Sequence, residues 1–573
     1  MDETIDTAAN ACSACKQYKR KCNKALPTCS TCSRLRRPCT YLIPESHRPS
    51  QQDEITLLRA RVEELEKLID KSIAGNKSLV TSPSSSSPAH ETNGSIGPNL
   101  SSSLFFLDQR YFAHLHCSVQ PGLLPVPDDI ADILKDECER SRGLEQLISR
   151  YFDAVHGWMP IISKARMKKV LNVPGDNINA DTAFLLSCMK LLLHAPQSGS
   201  LPEALPLYRI IKAVALQLEL AGLQSLMVIQ GELLIAVYEL GHGIYPAAYT
   251  TVAQCARQAI SIGIHSREAP HFLQPWAEWE EEIRVWWFIV MLDRHVTVGR
   301  ELRPLCTENP SKHTPLPADG EAWDKGAMIA SERLYVSSPT TASASPYARL
   351  AQAYNLLGRV IRHCNDPIQD LAFMLDEMST LHQATSALLE LTANEESEGS
   401  YVALAVCFST LMKLHKNFLY HSFRQGFLDQ ADFQLTARIR EYTEVSFNTM
   451  RDISLEALIL AQSLEQQIVV SGVDKLSPLV LHCFYRAAFW LSYLVSANRE
   501  DRFVIGLSVF DRVFKALNLR WKAAEWAIDF GLSTSPRSIL TAPDSLAREA
   551  EILDAVNGLG ITLHNSYNAK NRN

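Results

Sequence analysis

The sequence has little that would suit a membrane or a secretory route. Even the apolar run VWWFIVML at 285–292 stops at Asp293, far short of the roughly 20 residues that span a bilayer. The leader, MDETIDTAAN, is acidic and has no apolar signal core. We therefore expect no membrane partner and a compartment that keeps thiols reduced.

The sequence also lacks the short motifs of common enzymes. It contains no G-x-S-x-G, no H-E-x-x-H, no Walker loop and no complete G-x-G-x-x-G. Trp286, Trp287, Asp293 and Arg294 share one predicted helix, where we expect core packing and a structural ion pair. His242 lies at a predicted turn and is expected to bond to backbone. We predict that the protein is not an enzyme.

One segment, residues 12–39, has no Asp or Glu and is rich in cysteine. Its spacing is C-x2-C-x6-C, repeated once after a further six residues, which indicates a pseudo-twofold metal site. Zinc favours four tetrahedral ligands, so six thiolates satisfy two zinc ions only if two of them bridge both metals. The predicted ligands are Cys12, Cys15, Cys22, Cys29, Cys32 and Cys39.

Three other interpretations of this segment compete with zinc-dependent DNA binding. Disulfides need an oxidising compartment, which the leader does not indicate. A protein-binding zinc module usually has histidine or longer central gaps and need not be basic. If the basic residues formed only a solvated face, their positive charges would repel one another unless a polyanion offset them. DNA binding is favoured.

The charges between the cysteines support this choice. Eight Lys or Arg residues stand against no acidic residue. Six thiolates and two zinc ions together subtract two, so the loaded module carries about plus six. Residues 1–50 hold nine Lys or Arg and four Asp or Glu, a net of plus five, whereas the whole chain has a net charge of -7. The nucleic-acid footprint is therefore expected at the N-terminal end.

The segment from Cys12 to Cys39 resembles the fungal binuclear zinc cluster DNA-binding domain. The resemblance implies that Cys12 and Cys29 bridge the metals and that Lys19 reads a CGG triplet in the major groove. Tyr18 departs from the family, which usually has Arg or Lys there. The predicted DNA contacts are Lys16, Tyr18, Lys19, Arg20, Lys21, Lys24, Arg34, Arg36 and Arg37.

A heptad pattern follows the cysteine segment at 54–73. Its β-branched a positions and leucine d positions favour a parallel dimer, and the flanking charges agree. An amphipathic helix packed on the body is the alternative. The predicted dimerisation residues are Ile55, Leu58, Val62, Leu65 and Ile69.

Polar segments separate these parts from a helical body. We predict a disordered leader at 1–11, a linker at 40–53, a Ser-rich disordered linker at 74–103 and a tail at 564–573. The body, 104–563, shows apolar residues at helical spacing and almost no strand alternation, which makes the predicted fold class all-α. Predicted helices cover 144–155, 203–221, 226–240, 247–262, 277–298, 347–363, 400–420 and 476–496. A long irregular loop is expected at 302–346. The body's eight scattered cysteines, Cys117 to Cys483, are predicted to be buried thiols.

The body resembles the fungal-specific transcription factor regulatory domain, also called the middle homology region. The resemblance rests on YELGHGIYPAAYTTVAQCARQAISIGIH at 238–265, WEEEIRVWWFIVMLDRHVTVG at 279–299, RPL at 303–305 and LPADGEAWDKG at 316–326. It implies an all-α domain that senses an unidentified small-molecule effector or a partner.

Together the two resemblances imply a nuclear regulator of RNA polymerase II transcription. We expect a homodimer that binds double-stranded DNA and the transcription machinery, most often as the activator of a secondary-metabolite gene cluster. A repressor, or a regulator of primary or nutrient metabolism, is the alternative. A remote alternative is a helical enzyme or ligand-binding protein that carries a vestigial zinc module.

Overall fold

The computed structural model of the chain forms two compact units, Met1–Leu107 and Asp108–Asn573. The described residues are 10–35, 39–40, 122, 124–140, 142–171, 178–196, 199–266, 274–299, 303–326, 333–339, 342–366, 370–395, 399–424, 433–498 and 501–525. The predicted coiled coil, the Ser-rich linker, nearly all of the leader and of linker 40–53, and the tail lie outside them. So do Arg36, Arg37 and Cys117.

The described chain is helical, as predicted. The first unit contains α1 (Ser13–Gln17) and α2 (Ser30–Arg34). The second contains α3 (Asp128–Glu139), α4 (Gly143–Val155), α5 (Lys164–Leu171), α6 (Ala180–Leu192), α7 (Pro206–Leu220), α8 (Leu226–Gly241), α9 (Ala247–Ser261), α10 (Trp276–Val298), α11 (Gly320–Asp324), α12 (Pro346–Asn365), α13 (Leu371–Asn394), α14 (Ser400–Arg424), α15 (Phe433–Ser471), α16 (Leu481–Asn498) and α17 (Asp501–Asn518). Within the described ranges no strand occurs beyond an isolated bridge between Pro315 and Tyr335.

Helices α8 and α10 form the centre of the second unit. The hydroxyl of Ser225 caps α8 by accepting from the N–H of Val228 at 3.3 Å. Apolar residues surround α8 on nearly every side, which is the composition of a helix buried all round. It packs against α6, α9 and α10, while α10 also packs against α12. One continuous apolar core then extends through α12 and α14 to α17.

The region predicted as a long loop is irregular but packed. The indole N–H of Trp287 donates to the carbonyl of Pro315 at 2.8 Å, and that of Trp323 donates to Ala277 at 2.9 Å. The guanidinium of Arg284 lies 4.2 Å from the Trp323 ring centroid. Pro315 and Trp323 of this segment therefore pack against α10 instead of lying in a solvent-exposed loop.

All eight predicted helices are present, with ends shifted by a few residues. The predicted start at 476 was early, because Pro478–Val480 form a 3-10 turn before α16. The sequence did not predict α3, α5, α6, α11, α13, α15 or α17.

The predicted structural pair of Asp293 and Arg294 is confirmed, with both side chains buried and 3.2 Å apart. Trp287 is buried as predicted, but Trp286 is partly exposed. His242 accepts from the backbone N–H of Lys522 at 3.3 Å, as expected of a turn histidine.

The described cysteines form no disulfide, but the prediction that all scattered ones are buried was partly wrong. Cys188, Cys255, Cys407 and Cys483 are buried, Cys364 is half-buried, and Cys138 and Cys306 are exposed. Cys138 and Cys306 lie at the last turn of α3 and in the irregular cover of α10, where the chain meets solvent.

Two helical stretches, Phe433–Ser471 and Pro478–Val495, are long and apolar enough to cross a membrane by length and composition alone. Core helices of globular proteins pass the same test, and 61% of the second stretch is buried inside the fold. The absence of a membrane partner stays a prediction.

Candidate metal centre and nucleic-acid interface

The two short helices of the first unit repeat one local structure. Cys12 is the N-cap of α1 and Cys29 is the N-cap of α2. The Sγ atom of Cys12 accepts from the N–H of Cys15 at 3.4 Å, and the Sγ atom of Cys29 accepts from Cys32 at 3.4 Å. A side-chain acceptor at this position satisfies a helix N–H that otherwise has no partner. Each C-x2-C pair thereby places its two sulfurs at the start of one helix.

The two helix starts face each other, so that four sulfurs form one cluster. Cys12 Sγ lies 3.8 Å from Cys29 Sγ and 3.6 Å from Cys32 Sγ. Cys15 Sγ lies 3.7 Å from Cys29 Sγ and 4.0 Å from Cys32 Sγ. Zinc with Zn–S bonds of about 2.3 Å holds tetrahedral sulfurs about 3.8 Å apart. The four buried thiols are therefore spaced as zinc ligands are.

The remaining two cysteines sit at the edges of this cluster. Cys22 interacts with the thiols of Cys15 and Cys29. Cys39 interacts with the thiols of Cys12, Cys29 and Cys32, and it accepts from the N–H of Cys29 at 3.3 Å. Cys29 thus interacts with both Cys22 and Cys39. The structure brings all six predicted ligands into one centre.

Burial and local hydrogen bonds shift the pKa values of the cluster's thiols in opposite directions. Burial raises the pKa of Cys15 to about 12 and also raises the pKa of Cys32, whereas the backbone N–H of Cys32 lowers the pKa of Cys29. Zinc binds thiolates, so loading the cluster releases protons. The ion's own charge then offsets the repulsion between sulfurs less than about 4 Å apart.

Two polar contacts that the sequence did not predict join the halves of this module. The side-chain oxygen of Asn23 accepts from the N–H of Ser30 at 2.9 Å, and the hydroxyl of Thr31 donates to the carbonyl of Lys21 at 3.0 Å. The only sequence signal for these two contacts was residue type, because short polar side chains commonly form hydrogen bonds with nearby backbone.

The described cations of the module all point to solvent. Lys16, Lys19, Arg20, Lys21, Lys24 and Arg34 are exposed, and Tyr18 is 55% exposed at the C-cap of α1. Residues 10–40 contain no carboxylate side chain to neutralise them. An exposed cationic surface without acids is suited to phosphate backbones.

Lys19 occupies an unusual backbone position within this surface. Its φ of 47° is left-handed, a region that favours glycine. The N–H of Lys19 donates to the carbonyl of Lys16 at 3.3 Å, and the N–H of Arg20 donates to Cys15 at 2.9 Å, which is the Schellman end of a helix. A lysine is thus held where glycine is usual, directly after the helix that carries two metal ligands. Strained positions of this kind cluster at functional sites.

Comparisons with known proteins identify both parts of the chain. Residues 10–48 match the Fungal Zn(2)-Cys(6) binuclear cluster domain, and residues 148–424 match the Fungal specific transcription factor domain. Transcription factor BOA15 of Botryotinia fuckeliana (strain B05.10) is 36% identical over 185 residues, which make up 31% of this chain and 98% of that relative.

The cysteine module and the helical body together define a zinc-dependent DNA-binding regulator. The chain belongs to the family of fungal Zn(2)-Cys(6) binuclear cluster transcription factors. It is a transcription factor and not an enzyme, and its cluster domain binds two zinc ions.

Proposed function

We propose that this protein is a sequence-specific regulator of RNA polymerase II transcription that reads CGG-type triplets as a homodimer. The observation that carries the proposal is the acid-free cationic surface built around a cluster of cysteine sulfurs. Its exposed lysines and arginines supply the phosphate contacts that give affinity and register.

All six cysteines serve as ligands in this proposal, with Cys12 and Cys29 bridging the two zinc ions. Support comes from the equivalent N-cap positions of these two residues and from the contacts of Cys29 with both Cys22 and Cys39. When bound, zinc crosslinks the two short helices and supplies the folding free energy of a module with few apolar contacts of its own.

Lys19 is proposed to read the triplet. A lysine ammonium donates to the O6 and N7 atoms of guanine in the major groove, a contact worth ~1–3 kcal/mol of discrimination. Lys16, Tyr18, Arg20, Lys21, Lys24, Arg34, Arg36 and Arg37 are assigned to positioning on the DNA backbone. Support for Lys19 comes from its exposure and its fixed backbone at the end of α1.

The heptad at 54–73 is proposed to pair two chains, so that two readers engage two triplets. We further propose a nuclear location, which the family implies, and activation of a secondary-metabolite gene cluster. The proposal of a secondary-metabolite gene cluster rests on the resemblance of the helical body to regulators of such clusters. Genome-wide mapping of bound sites with transcript changes on deletion would identify the pathway and the sign of regulation.

The direct test uses the zinc-loaded full chain and fluorescence anisotropy with labelled duplexes. We expect tight binding to a duplex with two CGG triplets, weaker binding when both triplets are scrambled, and loss of both after zinc is removed with a chelator. Equal affinity for the scrambled duplex, or binding that survives chelation, would contradict the proposal.

A further inference from the structure

A cavity of about 680 Å³ lies within the second unit, where the ends of α8 and α10 meet the start of α16. This volume falls within the range of small-molecule sites in proteins. Much of its wall is apolar, with Leu240, Val296, Val298 and Leu481 among the lining residues. The cavity can therefore hold the hydrocarbon part of a small ligand.

Two histidines add polar atoms to this apolar wall. His295 and His482 both line the cavity, with ring centroids 6.4 Å apart. Nδ1 of His295 lies 2.9 Å from the hydroxyl of Tyr354, and Nδ1 of His482 lies 3.1 Å from the hydroxyl of Ser409. The hydroxyls occupy the Nδ1 edge of each ring, which leaves Nε2 as the polar atom that each ring presents to the cavity.

Both rings are neutral at this site. Burial lowers the pKa of His295 to about 4 and holds the pKa of His482 well below its usual range. A neutral imidazole has one donor and one acceptor nitrogen, so each Nε2 can donate to a ligand or accept from it, according to what the hydroxyl at Nδ1 does.

Arg303 supplies charge to the same cavity. Its guanidinium lies 4.4 Å from the ring centroid of Tyr249, which positions it by stacking. No described carboxylate forms an ion pair with it. Among the described residues that line the cavity, Arg303 alone carries a formal charge at neutral pH.

The surroundings of the cavity reinforce this positive charge. Beyond the effect of burial, the permanently charged side chains that lower the pKa of His482 are Arg486, Lys413 and Lys416. A pocket with apolar walls in a positive field concentrates anions.

We propose that this cavity binds a small, largely apolar carboxylate, whose acid group contacts Arg303 beside the rings of His295 and His482. The apolar walls hold the rest of the molecule. This inference goes beyond the proposed DNA reading and does not depend on it.

The test uses the zinc-loaded full chain without DNA, titrated by calorimetry with 2-naphthoate and with its uncharged analogue 2-naphthamide. We expect one naphthoate per chain and at least tenfold weaker binding of the amide. Because a ligand that binds only the folded state stabilises it, naphthoate should also raise the unfolding temperature of the helical unit.

Three variants locate the site. Arg303→Met should weaken naphthoate binding at least tenfold, with Arg303→Lys retaining part of it. Gly299 lines the cavity at a φ of -79°, and a Cβ there meets no atom within 4 Å, so the backbone accepts a side chain and Gly299→Phe introduces a bulky ring at the cavity. It should block both probes. Arg257→Met is the matched control, because exposed Arg257 lines a second cavity of about 610 Å³ and should not affect binding.

Several results would overturn the proposal. These are the absence of binding up to millimolar naphthoate, equal affinities for acid and amide, or losses in Arg257→Met that match those in Arg303→Met. Circular dichroism and unfolding temperature of each variant show whether the fold is intact. Because DNA is absent from these titrations, their failure leaves the DNA-reading proposal standing.

Discussion

At the scale of single residues, Lys19 and Lys24 form a natural matched pair. Both have left-handed φ values, 47° and 61°. Replacing either by glycine removes an ammonium group and relieves backbone strain of about 1–2 kcal/mol. Because the two variants change the backbone and the charge alike, any difference between them in DNA binding reports what the lysine side chain does at each position.

Lys19→Gly is expected to relax discrimination between CGG and altered triplets by ~1–3 kcal/mol. Lys24→Gly should weaken binding to all duplexes alike and reduce the salt dependence by about one phosphate contact. Anisotropy titrations at several salt concentrations measure both effects. Equal losses of specificity in the two variants would remove Lys19 from the reading role.

Cys29 is one of the two cysteines proposed to bridge both metals. Cys29→Ser should abolish binding of both zinc ions and unfold the module, because the proposed bridging sulfur serves both metals. Zinc content per chain and DNA binding measure this loss. Cys138→Ser, at an exposed thiol outside the cluster, should keep two zinc ions. Retention of one zinc by Cys29→Ser would instead indicate a terminal ligand.

At the scale of elements, the close approach of α6 and α8 depends on Gly231. A Cβ added there would lie 2.6 Å from Cε1 of Phe184, a fully buried ring that has little room to move. We expect Gly231→Ala to lower the free energy of unfolding by ~1–3 kcal/mol, although alanine is the better helix former. Urea unfolding followed by circular dichroism measures it. Gly157→Ala, where a Cβ meets nothing within 4 Å, should be close to neutral.

Glu232 on α8 should make stability depend on pH. Burial raises the pKa of this carboxyl from 4.5 to about 7. The folded state therefore keeps a proton that the unfolded state releases, and stability falls as the pH rises from about 4.5 to about 7. Between these pH values the free energy of unfolding should fall by up to about 3 kcal/mol less in Glu232→Gln than in the wild type. Urea unfolding between pH 5 and 7.5 tests this, with exposed Glu456→Gln as control; identical pH profiles for wild type and Glu232→Gln would contradict it.

The same elements explain how far sequence could predict structure. Helices with one apolar face, such as α4 and α12, were predicted because burial on one side leaves a period of 3.6 residues. Helices α6 and α8 are both buried on nearly every side, so such burial alone does not explain why α6 was missed and α8 was predicted. The cysteine spacing predicted the sulfur cluster because its ligand pairs are local. The left-handed Lys19 and the contacts of Asn23 and Thr31 were not predictable, since the folded module imposes them.

At the scale of the whole molecule, the heptad should convert one DNA reader into two. Two linked readers bind paired triplets with an affinity far above that of one, because the second contact is intramolecular. The predicted coil carries Leu58 and Leu65 at d positions, where paired leucines form the seam between chains. Ala60 and Lys67 fall at the outer f positions of the same heptads.

Leu58→Asp combined with Leu65→Asp should therefore make the full chain monomeric and reduce its affinity for a two-triplet duplex to that for a single triplet. The matched control, Ala60→Asp with Lys67→Asp, adds the same side chains to the solvent face and should remain dimeric. Analytical ultracentrifugation gives the mass, and anisotropy with one-triplet and two-triplet duplexes gives the affinities. If the leucine variant stays dimeric, the heptad helix packs elsewhere and another surface pairs the chains.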